Sequence, residues 1–146
     1  MKISVKTFEE LTVHELHDLL QLRSEVFVVE QDCVYQDIDG KDQRALHIIG
    51  KKGGKTVAYT RCFAPGIYFD EAAIGRVVVD KAERKYGYGH DIMEASCIAI
   101  KKRYHTKSIK LSAQTYLIKF YESHGFQIIG EEYLEDGIPH IAMIIA

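Results

Sequence analysis

Long apolar runs and clustered cysteines are missing from this chain of 146 residues. The first twenty residues are interrupted by charges such as Lys6 and Glu10, so they contain neither the apolar core of a secretory signal nor a membrane span. The three cysteines, Cys33, Cys62 and Cys97, are odd in number, widely spaced and without a C-x-x-C motif, which excludes a disulfide or zinc framework. We therefore expect free thiols in a cytoplasmic protein without a membrane partner.

Basic clusters and the common phosphate and metal motifs are also missing. No run of Lys and Arg exceeds three residues and the formal net charge is −2, which argues against a nucleic-acid partner. No Gly-Lys-Ser/Thr sequence follows a glycine as a Walker loop requires. An EF-hand counted from Asp37 would need glycine at its sixth position, but Gly40 falls at the fourth and the closing Glu is absent. We expect no metal requirement.

Residues 28–44 nevertheless hold a cluster of acidic side chains around Tyr35. The acidic residues are Glu30, Asp32, Asp37, Asp39 and Asp42. Such a cluster is most often a solvated surface, although functional residues favour loops. The alternative is a wall that attracts a cationic amine.

The periodicity of apolar residues predicts one α/β (α+β) domain over residues 1–146, with no linker or repeat. A capping box at Thr12 begins a first helix whose inward stripe reaches Phe27, a second helix begins at glycines 87 and 89, and a third covers 115–123. The predicted strands are 2–7, 45–50, 56–64, 74–79, 108–113, 126–130 and 138–145, with a charged turn at 131–137. This order predicts a mixed, mostly antiparallel twisted sheet with helices on both faces.

The most informative stretch is the strand 74–79 and the basic, glycine-containing turn that follows it. A helix that begins at Gly87 and Gly89 leaves backbone N–H groups without partners and places partial positive charge there. Lys81, Arg84 and Lys85 add full charges, so a phosphate or pyrophosphate is a natural ligand. On glycine spacing alone, a tight turn with solvated basic side chains explains the pattern equally well.

Two motifs narrow the choice. Ile92 stands where a dinucleotide fingerprint would have its third glycine, so that fingerprint is incomplete. The sequence RKYGYG after VVVD resembles the R-x-x-G-x-G coenzyme A loop of the GNAT superfamily of N-acetyltransferases. About thirty residues later, FYESHGF resembles the F-Y-x-x-x-G-F signature of the same superfamily, and it also fits a helix that ends at a glycine cap. The segments VFVVEQDCVYQDIDGKD, IGRVVV, LSAQ and GIPHIAM resemble its ElaA-like branch.

The resemblance implies a GNAT-like fold and an acetyl-CoA-dependent N-acetyltransferase. The acceptor would be a small-molecule or peptidyl primary amine, with cationic amines included, that attacks the thioester directly in a ternary complex. The implied coenzyme contacts are Val77, Val78, Val79, Arg84, Lys85, Tyr86, Gly87, Tyr88, Gly89 and Gln114. Gln114 stands where many members carry Asn, so its side chain is longer than the usual one. The subunit is expected to be a monomer or a homodimer.

The implied general acid is Tyr121, whose phenol has an ordinary pKa of about 10 and is protonated at neutral pH. An alkylamine has a pKa of about 10.4, so a base must accept its proton. We rank Glu30 first and His140 second among the polar residues of the acceptor side, which also include His47 and Arg76.

Each base candidate has a structural alternative. Glu30 also fits a helix-end carboxylate, His140 a sheet-packing imidazole, and His47 a core histidine. Because no base is unmistakable, a non-catalytic module that binds or senses coenzyme A is the alternative function.

Overall fold

One seven-stranded sheet is the frame of the computed structural model, which describes all residues 1–146. The strands are β1 (Lys2–Thr7), β2 (Leu46–Lys52), β3 (Lys55–Phe63), β4 (Ala72–Val79), β5 (Ile109–Gln114), β6 (Gln127–Glu135) and β7 (Ile138–Ile145). Their spatial order is β1-β2-β3-β4-β5-β7-β6, and every neighbouring pair is antiparallel except β4 and β5. The predicted mixed, mostly antiparallel sheet is confirmed.

Three α-helices cover the two faces of this sheet: α1 (Val13–Arg23), α2 (Tyr88–Tyr104) and α3 (Ile118–Glu122). On one face, Leu19 and Leu22 of α1 pack with Tyr59 and Val78 of the sheet. On the other face, α2 and α3 contribute to the main core. The chain continues from α1 into a π-helical segment at Ser24–Glu30. Val26, Phe27 and Glu30 of this segment line the cavity described in the next subsection.

Glu15 ties α1 to the edge of the sheet. Its carboxylate accepts hydrogen bonds from Lys6 on β1 at 2.7 Å and from Lys51 on β2 at 3.1 Å, while its side chain closes the capping box with Thr12. Burial alone would raise the pKa of Glu15, but these hydrogen bonds outweigh it and lower the pKa to about 2. The helix start is therefore held by a carboxylate that stays ionised.

His47 lies in the core, as the alternation along β2 predicts. It is fully buried, its Nδ1 lies 2.6 Å from the hydroxyl of Tyr59, and its Nε2 lies 2.9 Å from the carbonyl oxygen of Asp42. Burial lowers the pKa of His47. It does not line the cavity described below, so it has no access to a substrate.

The strands β4 and β5 pair only at their beginnings. Ala72 pairs with Ile109 and Ala73 pairs with Lys110, and no further pairs follow although both strands continue. Since β5 and β7 remain paired to the end of β5, the sheet divides between β4 and β5. A cleft opens there, in the middle of the molecule.

A β-bulge in β4 faces this cleft. Gly75 pairs with Arg61 and Val78 pairs with Tyr59, so two residues of β4 oppose one residue of β3. Arg76, in the bulge, has a φ of 50°, a value that side chains other than glycine adopt uncommonly. The bulge redirects the side chains of β4 along the cleft.

The predicted charged turn at 131–137 is wrong. Residues 131–135 belong to β6, which pairs with β7, and only Asp136 and Gly137 form the turn, both with positive φ. All nine residues of β6 are exposed, because β6 is the edge strand and no helix covers it. Apolar and polar residues alternate only in a strand that buries one face, so the sequence of β6 shows no strand pattern.

Candidate active site

A cavity of about 540 Å³ occupies the cleft between β4 and β5 and extends to both faces of the sheet. This volume is within the range of small-molecule sites, roughly 300–1,000 Å³. The predicted site residues that line it are Glu30, Val77, Val78, Val79, Arg84, Gly87, Gly89, Gln114, Tyr121 and His140. The fold thus brings together residues from four separate parts of the sequence.

The start of α2 lies at one end of the cavity. Gly87 precedes the helix with a φ of 73°, which favours glycine, whereas Gly89 has no positive φ. A Cβ on Gly89 would lie 3.4 Å from the Phe120 ring, an ordinary contact that the protein itself tolerates. The first turn of a helix leaves N–H groups free to bind an anion. The N–H groups of this loop are therefore suited to bind a phosphate. The packing of the protein does not itself require a glycine at position 89.

Three predicted contacts of this loop do not line the cavity: Lys85, Tyr86 and Tyr88. The side chain of Tyr86 is largely exposed, and the Nζ of Lys52 lies 4.1 Å from the centre of its ring. Lys85 lies over the same ring at 5.3 Å. These three predicted contacts therefore lie outside the cavity in this conformation.

Arg84 and Glu30 form an ion pair across the mouth of the cavity. The Nη1 and Nη2 of Arg84 donate to the two carboxylate oxygens of Glu30 at 2.6 and 2.8 Å, and its Nε donates to the carbonyl of Val79. The hydrogen bonds from Arg84 lower the pKa of Glu30. A carboxylate with a lowered pKa is a weak proton acceptor, which argues against the first-ranked base.

Tyr121 lies in the buried part of the cavity, near the end of the short helix α3. Its ring packs edge-to-face against Phe120 and Phe126, and only 5% of the residue is exposed. Burial, together with the nearby Tyr116, raises the pKa of its phenol. The phenol is therefore neutral across the physiological pH range and can donate its proton or a hydrogen bond to a group in the cavity.

The prediction of a solvated acidic surface is wrong for Asp37, Asp39 and Asp42, which bind arginines, whereas Glu30 and Asp32 are exposed. Asp37 and Asp42 are buried, and the fully buried guanidinium of Arg23 donates to Asp37 at 2.9 Å and to Asp42 at 2.8 Å. Arg61, also buried, donates to Asp42 at 2.9 Å and to Asp39 at 2.6 Å. The carboxylates neutralise arginines that precede and follow the segment in sequence.

Arg76 joins the same network from the bulge of β4. Its Nε donates to the carboxylate of Asp37 at 2.7 Å, and its guanidinium lies 5.6 Å from the ring of Tyr35. The network, which we call the arginine–aspartate network, consists of Arg23, Arg61, Arg76, Asp37, Asp39 and Asp42. Its three positive and three negative charges balance. The network fixes the loop after α1 against the bulge and leaves no net charge there to attract a cation.

His140 lies on the other wall, where β7 runs beside β5. Its Nδ1 lies 2.7 Å from the carbonyl oxygen of Ile138, and its Nε2 lies 3.4 Å from the carboxylate of Glu135. Gln114, its partner across the strands, exchanges hydrogen bonds of 3.3 to 3.4 Å with Gln31. The amide of Gln114 therefore lies in the cavity, where it is bound to the segment that follows α1.

Sequence reasoning missed several polar residues of the cavity, among them Ser112, Glu135 and His90. Glu135 was assigned to a turn, and Ser112 has no motif around it. His90 follows the glycine loop directly, and its Nδ1 lies 2.9 Å from the Nε2 of His124. Position next to the loop was the one available signal for His90.

Cys33, Cys62 and Cys97 are free thiols, as expected from their spacing. No group of three or more His, Cys, Asp or Glu side chains comes together as a metal site would require. None of the helices combines the length and the apolar character needed to cross a membrane.

The sequence and the fold of this chain are both similar to those of known proteins. A family model described as an acetyltransferase (GNAT) domain matches residues 7–146. The protein ElaA of Escherichia coli is 44% identical over 136 residues, which cover 92% of this chain and 89% of that protein. Its crystal structure superposes with a TM-score of 0.91 at 41% identity, covering 98% of this chain and 97% of the other. The crystal structure of an acyl-CoA N-acyltransferase from Pseudomonas aeruginosa superposes with a TM-score of 0.94 at 41% identity and covers 100% of both chains.

Proposed function

The chain belongs to the GNAT acetyltransferase family, in its ElaA-like branch, and is an acyl-CoA N-acyltransferase in general terms; we propose that its donor is acetyl-CoA and its acceptor a primary amine. The observation that carries this proposal is the cavity between β4 and β5, with a phosphate cradle at one end and a buried phenol beside it. In this proposal the amine attacks the thioester directly, in a ternary complex.

The residues of the cleft fit the coenzyme. The backbone of β4 from Val77 to Val79 has no strand partner on the β5 side, so it is free to hydrogen-bond an extended amide chain such as pantetheine. Gly89 lies in the first turn of α2 and lines the cavity, where the helix start supplies N–H donors for a pyrophosphate. Arg84 adds a full charge once a phosphate competes with Glu30 for its guanidinium.

Tyr121 acts as the general acid in this proposal. When the carbon–sulfur bond breaks, the sulfur needs a proton, and the phenol supplies it. The acylated nitrogen still carries a proton that it must lose, and this proton restores the phenol. Tyr121 therefore ends the reaction as it began, and coenzyme A leaves as a thiol.

The amine must first become neutral, so its ammonium form gives one proton to a base. Glu30 and His140 are the two candidates at the cavity. Glu30 is held by Arg84, whereas His140 makes no ion pair closer than its 3.4 Å contact with Glu135. His140 is the better placed of the two. The sum of the reaction is one acetamide, one thiol and one proton released to the solvent.

A module that binds coenzyme A without catalysis remains the second candidate. The observation that favours it is the ion pair of Glu30 with Arg84, which occupies one base candidate and one phosphate ligand at the same time. The two candidates share coenzyme binding and differ in whether an amine releases the thiol.

The experiment is a calorimetric titration with acetyl-CoA, followed by a thiol-release assay with a panel of primary amines that includes polyamines, lysine-containing peptides and arylalkylamines. Binding together with thiol release that depends on one of the amines supports the transferase. Binding without release by any amine supports the module. Absence of binding refutes both. Within this proposal we place the enzyme in the cytoplasm, where thiols such as its three free cysteines stay reduced.

A further inference from the structure

We infer that Glu135, which the hydroxyls of Ser112 and Tyr133 hold in position, makes His140 the base of the reaction and relays the proton of the amine to the solvent. The four side chains are joined in one chain of contacts on β5, β6 and β7, on the face of the sheet opposite α2 and α3. This inference rests on the proposed acyl transfer and assigns to β5, β6 and β7 the step that the transfer leaves open.

The contacts of His140 fix its tautomer. The carbonyl oxygen of Ile138 can only accept a hydrogen bond, so the Nδ1 at 2.7 Å must carry the proton and donate it. In the neutral ring the Nε2 then has a lone pair and can accept a proton. The residue is buried to more than nine-tenths and lines the cavity, so the lone pair is shielded from bulk water and within the site.

Glu135 lies beside the nitrogen that takes up the proton. Its Oε2 lies 3.4 Å from the Nε2 of His140, within reach of an ion pair when the ring is protonated. Its other oxygen, Oε1, accepts a hydrogen bond from the hydroxyl of Ser112 at 3.5 Å. The imidazolium that forms when His140 takes a proton is therefore stabilised by a carboxylate, which in turn can receive the proton.

The chain ends in the solvent. The hydroxyl of Ser112 is in hydrogen-bond contact with the phenol of Tyr133, whose ring stacks on the imidazole of His140. Tyr133 is 39% exposed and the side chain of Glu135 is 48% exposed. A buried base is thus connected, over two or three side chains, to groups that exchange protons with water.

The topology places this chain on the wall of the reaction site. His140 pairs with Gln114 at the end of β5, and the chain runs from Gln114 over one short turn to the helix of Tyr121. The end of β5 therefore lies beside both groups: the base pairs with it across the strands, and the general acid follows it along the chain. An amine that enters from the face opposite α2 and α3 meets His140. Tyr121 lies on the side of α2 and α3, in the main core.

The proton balance is complete without another reactant. The ammonium group of the acceptor gives one proton to the Nε2 of His140 and becomes a neutral amine. The imidazolium passes this proton to the carboxylate of Glu135, and Glu135 releases it to water. The second proton of the nitrogen restores Tyr121 after the thiol has formed.

The test compares His140→Gln and Glu135→Gln with the wild-type protein, using acetyl-CoA and the best amine of the panel. Glu132→Gln is the matched control, because it removes an exposed carboxylate of the same strand that makes no contact with His140. We expect His140→Gln to lower kcat/KM by about 10²- to 10⁴-fold, the range of a general base. Glu135→Gln should lower it by about 10- to 100-fold, the range typical for a partner that orients a histidine. The affinity for acetyl-CoA should be unchanged in both.

Two readouts separate a relay from a merely structural role. Nitrogen-15 NMR of the imidazole should show the Nδ1–H tautomer of His140, without any substrate. The acid limb of the pH profile of kcat/KM should disappear in His140→Gln and persist in Glu132→Gln. The titratable groups that face His140 are Glu135 and Tyr133 from β6, while Ser112 and Gln114 from β5 carry no charge.

Three results would overturn the inference. They are an Nε2–H tautomer, a wild-type rate in His140→Gln, and equal effects of Glu135→Gln and Glu132→Gln. An active wild-type enzyme with any of these results leaves the proposed function standing. If none of the amines causes the wild-type protein to release thiol, the proposed function fails and the relay fails with it.

Discussion

At the scale of single residues, the proposed reaction depends on Tyr121 as the acid and on the pair of Arg84 with Glu30 at the phosphate end of the cleft. Tyr121 combines a ring that packs in the core with a hydroxyl on the cavity wall, so its two parts can be tested separately. Arg84 and Glu30 neutralise each other in the absence of a ligand. A bound phosphate would change the partner of Arg84 and release Glu30.

The first residue-scale prediction concerns the hydroxyl of Tyr121. Tyr121→Phe keeps the packing of the ring and removes the acid, so kcat should fall by about 10²- to 10⁴-fold while the dissociation constant of acetyl-CoA is unchanged. Tyr104→Phe is the control, since that half-buried phenol lies on α2 outside the cavity. Steady-state kinetics and calorimetry measure the two quantities. Turnover at the wild-type rate would remove Tyr121 from the mechanism.

The second residue-scale prediction concerns competition for Arg84. In Glu30→Gln the guanidinium loses its charged partner, so acetyl-CoA should bind about two- to fivefold more tightly, as expected for a half-exposed ion pair worth up to about 1 kcal/mol. Glu83→Gln removes an equal charge from the same loop but leaves this pair intact, because Glu83 binds Lys52. Equal affinities in the two variants would show that Arg84 does not bind the phosphate.

At the scale of secondary-structure elements, the start of α2 and the edge strand β6 contrast in how much their sequences reveal. The glycine loop is a local feature, since its conformation and its charge follow from a few adjacent residues, and its place before α2 was predicted correctly. The strand β6 depends on pairing with β7 and has no buried face, so residues 131–135 gave no strand pattern. The sequence predicts a strand only over 126–130, so it does not place Glu135 beside His140.

Two glycine variants test the loop at this scale. Gly87→Ala forces an alanine into a φ of 73° and should lower the free energy of unfolding by about 1–2 kcal/mol. Gly89→Ala has no such strain and gains helix propensity, so the protein should be equally stable or more stable, by up to about 1 kcal/mol. Its affinity for acetyl-CoA should nevertheless fall about tenfold or more, a loss of at least about 1.4 kcal/mol.

Urea unfolding measures the stability of both glycine variants, and calorimetry measures their affinity. The decisive variant is Gly89→Ala, because its stability and its affinity are expected to change in opposite directions. Wild-type affinity in a stable Gly89→Ala protein would mean that no phosphate approaches this position.

At the scale of the whole molecule, the arginine–aspartate network joins α1, the segment after it, β3 and the bulge of β4. The order of strands and helices could be predicted because it depends on local periodicity. The network could not, because which carboxylate meets which arginine depends on contacts between residues as far apart as Asp37 and Arg76. The same limit applies to the pairing of Glu30 with Arg84.

Asp42→Asn tests the network. Arg23 keeps Asp37 and Arg61 keeps Asp39, but the network loses one of its three carboxylates and retains an uncompensated buried positive charge, so the free energy of unfolding should fall by about 3–5 kcal/mol. Asp70→Asn, an exposed carboxylate without an ion pair, is the control and should change little. A loss below about 1 kcal/mol in Asp42→Asn would mean that the network does not hold the fold together.

The same network makes the fold sensitive to acid. Burial alone would raise the pKa of Asp42, but the hydrogen bonds from Arg23 and Arg61 outweigh it and lower the pKa below its ordinary value near 3.8. Hydrogen bonds from Arg61 lower the pKa of Asp39 as well. Groups with lowered pKa values stabilise the fold above the pKa of the unfolded chain and lose this effect as the pH falls. The wild-type protein should therefore lose stability below pH 4 more steeply than Asp42→Asn, and equal slopes would contradict this origin.

The measurement that tests the central claim most directly is the amine-dependent release of coenzyme A thiol from acetyl-CoA by the wild-type protein, with the acetylated amine identified by mass spectrometry. An acyltransferase that works in the cleft between β4 and β5 should release thiol and form one acetamide in equal amounts. It should do so far more slowly as Tyr121→Phe, with binding of acetyl-CoA retained. Tight binding of acetyl-CoA without an acetylated product from any amine of the panel would contradict the account and leave a protein that binds the coenzyme without transferring its acyl group.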